Sequence, residues 1–71
     1  MTPQPSTNLV RKYRRWKELS QAELAQRAGV SRQTIANIEK GNYAPSVYLA
    51  LMISKILGRS VEDIFDPREG D

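Results

Sequence analysis

The chain contains no cysteine and no histidine. Without cysteine there is no disulfide and no thiolate metal site, a composition that fits a reducing cytoplasm. Without histidine the usual neutral-pH acid/base group and the commonest zinc ligand are both missing. At 71 residues the chain is also too short to line a deep catalytic pocket. No enzyme, metal, cofactor or small-molecule ligand is therefore expected. No apolar run approaches the roughly 20 residues of a membrane span, and Met1 to Thr7 does not read as a signal peptide. The expected location is cytoplasmic. Nor does the sequence show a strand pattern, an internal repeat or a low-complexity segment. What is left is one small domain, held by helix packing and helped by self-association.

The net charge is +3, but it is unevenly spread. Leu9 to Arg59 carries ten Lys/Arg against three acids, whereas residues 60–71 carry five acids and one Arg. A basic body with an acidic end suits a polyanionic partner for the body. The bland alternative is a solvated basic surface.

Residues 1–7, with Pro3 and Pro5 among polar residues, read as a disordered arm. The domain is expected over residues 8–66, with a frayed acidic tail at 67–71. Asn8 is a plausible N-cap for a first helix from Leu9 to Glu18, closed by Leu19. Ser20, with Glu23 three residues on, forms a capping box for a second helix over Gln21–Ala28. Gly29 can take positive φ and end that helix. Ser31 then caps a third helix from Arg32 to Lys40, which stops at Gly41. Asn42-Tyr-Ala-Pro-Ser46 is a loop, and Ser46 caps a fourth helix, Val47–Leu57, ended by Gly58. Ser60 caps a short fifth helix, Val61–Phe65, whose early acids suit its dipole. The fold class is all-α, a five-helix bundle. Helices two and three, joined by a glycine turn, have the form of a helix-turn-helix.

The segment SQAELAQRAGVSRQTIANIEKG, the following NYAPS and the closing LGRSVEDIF resemble the Xre family of lambda-repressor-like DNA-binding domains. The resemblance covers about Val10 to Phe65, and is closest to the small single-domain bacterial and phage regulators. It implies a homodimer on a palindromic operator in double-stranded DNA. It implies that Gln21 bonds a phosphate and that Arg32, Gln33, Thr34 and Asn37 enter the major groove. It further implies that Lys40, Asn42 and Tyr43 touch the DNA backbone, and that Arg14 pairs with Glu39.

The residues themselves support part of this. Gln33 and Asn37 share one helical face, flanked by Arg32. Arg pairs bidentately with guanine, and Gln or Asn with adenine. Arg32, Gln33 and Asn37 are thus expected to read bases, although Arg32 is also placed for phosphate. Gln21, Ser31, Thr34, Lys40, Asn42 and Tyr43 are the expected backbone contacts. Ser31 is first a cap, and Thr34 has a thymine methyl as an alternative. Tyr43 serves either as a phosphate ligand or as a packing lid. Arg11, Lys12, Arg15 and Lys17 read as a solvated face that raises the local field. Trp16, at a position commonly polar in the family, is expected to cover the core edge with Phe65; the other reading exposes it to a partner.

The fourth helix is apolar nearly all round. Val47, Ala50, Ile53 and Leu57 are expected to face the core. Tyr48, Met52 and Ile56 form a second stripe, with Leu49 and Leu51 adding to it. So little chain cannot bury both sides, so Tyr48, Met52 and Ile56 are expected at a homodimer interface. The bland alternative is a sticky monomer. The expected function is a sequence-specific transcriptional regulator, a repressor that occupies an operator. The alternative is an antitoxin or other module that binds a partner protein, a role against which the lack of a long wrapping tail speaks.

Overall fold

A computed structural model describes residues 8–65. The expected arm at 1–7 and the expected tail at 67–71 lie outside the described residues. Five helices follow in order: α1 (Val10–Trp16), α2 (Gln21–Ala28), α3 (Arg32–Lys40), α4 (Val47–Leu57) and α5 (Val61–Phe65). Among the described residues there is no strand.

Four of the five helices have the limits their caps dictate. The Ser20 hydroxyl accepts the Glu23 N–H over 3.0 Å, and the Glu23 carboxylate accepts the Ser20 N–H over 2.7 Å. Ser31 and Ser46 accept the N–H groups of Thr34 and Leu49, each over 3.1 Å. Ser60 does the same for Asp63. Gly29, at φ 79°, turns the chain between α2 and α3.

The first helix departs from expectation at both ends. It begins at Val10 rather than Leu9, and Leu9 occupies the cap position without a side-chain bond. Asn8 acts from one residue further out: its carbonyl oxygen accepts the Val10 N–H, and its amide donates to the Ile38 carbonyl over 2.8 Å. The helix ends at Trp16, short of Glu18. Glu18 takes φ 59°, so its N–H returns to the Arg15 carbonyl and that of Leu19 to the Arg14 carbonyl. This is a Schellman cap built on a residue other than glycine. It turns Leu19 into the core.

The core gathers Val10, Leu19, Leu24, Ala25, Ala28, Ile35, Ile38, Leu49, Ile53, Leu57 and Ile64. α2 packs on α3 and α4, while α1 spans α3, α4 and α5. Full burial of each large aliphatic side chain contributes about 1.5–3 kcal/mol. On α4 the buried side is Leu49, Ala50, Ile53, Ser54 and Leu57. Val47, expected inside, is 78% exposed. A helix this uniformly apolar does not fix its own phase. Its neighbours do, and they select Leu49, which lies about 200° from Val47 around the helix.

Candidate nucleic-acid interface

α3 buries Ile35, Ala36, Ile38 and Glu39 and turns Arg32 and Gln33 to solvent. Asn37 is half-buried beside them. The Gln33 amide donates to the Asn37 carbonyl oxygen over 3.3 Å, so these two heads occupy one face, as the helical spacing requires. Both are amides with donor and acceptor ends free to re-pair with a base edge. Neither is needed by the core.

Behind this face lies a chain of polar groups. Arg14 reaches Glu39 with Nε at 2.6 Å and Nη2 at 3.2 Å, and its Nη1 donates to the Leu19 carbonyl. Arg14 and Glu39 are both buried, and this is the one salt bridge among the described residues. Gln21 donates to Glu39 Oε1 over 3.1 Å. The other end of the same amide accepts Arg32 Nη1 over 3.2 Å. The expected ion pair, the expected phosphate ligand and an expected base reader are thus one connected network across α1, α2 and α3.

A polar groove runs over this network. Gln21, Arg32 and Lys40 line it, together with Arg11. The sequence places Arg11 only on a solvated face that raises the local field; the structure sets it on the groove. Its position three residues before Arg14, on the same side of α1, is the signal that finds it. Besides the mutually paired Arg14 and Glu39, which also line it, the groove gathers Arg11, Arg32 and Lys40 near the N-terminus of α2, where backbone N–H groups and the helix dipole favour an anion.

The remaining expected contacts sit around it. Ser31 is used as the α3 cap, and its hydroxyl lies 2.9 Å from that of Thr34. Lys40 and Asn42 are exposed at the end of α3. Tyr43 is 48% exposed and lines a separate apolar groove between α4 and α5, with Val47, Leu51 and Phe65. Of the expected interface residues on α4, Tyr48 is exposed, Met52 is half-buried, and Ile56 is half-buried against the core. Trp16 does not cover the core edge. It is 70% exposed, because α1 turns Val10 and Arg14 inward and leaves Trp16 on the outer side.

A capped helix-turn-helix that presents free amides and cations on its second helix defines a DNA-binding regulator domain. The helix-turn-helix family model matches residues 10–64. The chain belongs to that family, in its Xre, lambda-repressor-like form. An uncharacterized HTH-type transcriptional regulator of Methanothermobacter thermautotrophicus is 53% identical over 58 residues, covering 80% of this chain and 84% of the relative. One from Methanocaldococcus jannaschii is 52% identical over 58 residues, covering 82% and 88%. YgzD of Bacillus subtilis, an uncharacterized HTH-type transcriptional regulator, is 52% identical over 46 residues, covering 65% and 70%. No helix among the described residues is long and apolar enough to cross a membrane.

Proposed function

We propose that this chain is a sequence-specific, cytoplasmic transcriptional repressor that binds a palindromic operator as a homodimer. The observation that carries this reading is the outward face of α3. Among the described residues the side chains of Gln33 and Asn37 pair only with each other there, and Arg32 is steadied beside them by Gln21. In the major groove the amides exchange their mutual bond for adenine edges, and Arg32 reaches guanine or phosphate. Arg11, Gln21, Lys40 and Asn42 hold phosphates on either side, joined by Ser31, Thr34 and Tyr43 where the backbone passes close. These contacts set register, affinity and salt dependence. Repression follows from occupancy alone, by exclusion of polymerase from an overlapping promoter.

One α3 reads only a few base pairs, too few to single out a genomic site. A second copy doubles the reading length. The outward side of α4 offers the surface, since Val47, Tyr48 and Leu51 are exposed together. Tyr48, Met52 and Ile56 form one flank of that surface, with Ile56 at its buried margin.

Selection from a random duplex library at near-physiological salt tests the reading. A two-fold symmetric motif with half-sites about one helical turn apart is expected. Recovery of no motif, with binding lost on addition of salt, overturns it.

A further inference from the structure

Tyr13, Trp16 and Arg59 form a surface that the DNA reading does not use. The Trp16 ring meets the Tyr13 ring edge-on at 6.2 Å between centroids. The Arg59 guanidinium sits 4.7 Å from the Tyr13 centroid and 5.6 Å from that of Trp16. Lys12 Nζ lies 5.8 Å from the Tyr13 centroid. Lys17 closes the far side of a small cleft of about 340 Å³ between these rings and Gly58. Among the described residues no carboxylate comes within salt-bridge distance of Lys12, Lys17 or Arg59.

Lys12, Lys17 and Arg59 thus concentrate positive charge around the half-buried Tyr13 ring and the exposed Trp16 ring. Trp16 contributes little to the fold at its exposure of 70%. The patch also faces away from the proposed duplex. Arg11 lines the polar groove, and Trp16 lies about 140° from it around α1. A duplex lying on α3 therefore leaves the patch open.

We propose that this patch docks an acidic segment of a partner protein. Carboxylates would pair with Arg59, Lys12 and Lys17, while an apolar side chain of the segment packs on Trp16. The rings are already held by each other and by Arg59, so little freedom is lost on binding. A nucleic-acid strand fits less well. Successive bases stack on roughly parallel platforms, and these rings stand 76° apart with Arg59 over them.

Trp16 is the sole tryptophan, so its fluorescence reports occupancy directly. The probe is a short, tryptophan-free, glutamate-rich peptide with one central phenylalanine, added to the full chain at near-physiological salt. Saturable change in Trp16 emission is expected, with amide shifts confined to Lys12–Lys17 and Gly58–Ser60. Arg59→Glu should weaken binding about fivefold, and Arg32→Glu, with the same loss of charge, by less than about twofold. Arg59→Gln, which keeps the stem, should fall between. Equal weakening by Arg59→Glu and Arg32→Glu overturns the proposal in favour of general charge attraction. So does an absence of saturation. Tighter binding of single-stranded oligothymidylate at the same residues also overturns it, and gives the patch to nucleic acid.

Discussion

Gln21 joins the buried carboxylate of Glu39 to the exposed guanidinium of Arg32, one at each end of a single amide. A residue that only touched phosphate would have no need of both. The arrangement makes Gln21 a positioning residue as well. Under the proposed reading, in which Arg32 contacts a base, Gln21→Ala should loosen Arg32 and cost about 1 kcal/mol of discrimination at that base pair. Gln33 and Asn37 keep their own bond, so preference at their base pairs should persist. Parallel library selections with both proteins check this. Uniform weakening with an unchanged motif would confine Gln21 to the phosphate.

Arg14 and Glu39 predict a different kind of loss. Arg14→Met leaves Glu39 buried with Gln21 as its remaining partner. Removal of one member of a buried pair costs about 3–5 kcal/mol, a large share of the stability of so small a domain. Urea unfolding should show Arg14→Met mostly unfolded in buffer. The double variant Arg14→Met, Glu39→Met replaces the pair by apolar groups and should recover most of the loss. A double variant no better than the single one would contradict this account.

Glu18 holds φ 59° at the end of α1. A side chain in the left-handed region costs about 1 kcal/mol relative to glycine. Glu18 is exposed, and among the described residues its side chain forms no bond that would be missed. Glu18→Gly should therefore raise stability by about 0.5–1 kcal/mol. A shift of the urea midpoint to higher concentration, at constant slope, is the expected result.

These residues also show why some of the architecture could be read in advance. Ser20, Gly29, Ser31, Gly41, Ser46, Gly58 and Ser60 act on backbone groups a few residues away. The limits of α2, α3, α4 and α5 are consequently local properties of the sequence. The end of α1 was hidden because Glu18 performs a glycine's task. The phase of α4 was hidden because Val47 and Leu49 are equally apolar, and only packing chooses between them. Trp16 misleads because an aromatic residue is usually drawn inward, whereas the inward side of so short a helix is already taken by Val10 and Arg14. At the site, the Gln33–Asn37 face follows from helical spacing alone. The link from Gln21 to Arg32 depends on how two helices meet, which no local pattern contains.

Glu23 gives the fold a pH dependence of known sign. Bonds from the Ser20 N–H and hydroxyl, helped by Arg27, hold its carboxyl below the ordinary glutamate range. A depressed folded value means stability that is present above the unfolded value. It is lost as the pH falls through the folded one. The start of α2 should therefore weaken as the pH falls through and below the ordinary glutamate range. Amide shifts of Ser20 and Glu23 followed through an acid titration check this. Glu23→Gln retains a side-chain acceptor for the Ser20 N–H and should abolish the pH dependence of those shifts while keeping the cap. Persistence of the same titration in that variant would assign it to another carboxylate.

Met52 lies half-buried on α4 beside the exposed Tyr48. If a second copy covers this side, a charge there must be desolvated without a partner on association. Met52→Lys should raise the dimer dissociation constant at least about tenfold, a cost of about 1.4 kcal/mol. The monomer should tolerate the change, since a lysine stem follows the path of methionine and its ammonium reaches solvent. Sedimentation at low micromolar concentration separates the two effects, with circular dichroism to confirm that the helices persist. Loss of dimer with intact helices supports the interface. An unchanged mass would move it to the opposite flank, where Leu51→Lys, beside Val47, makes the same demand on the groove against α5.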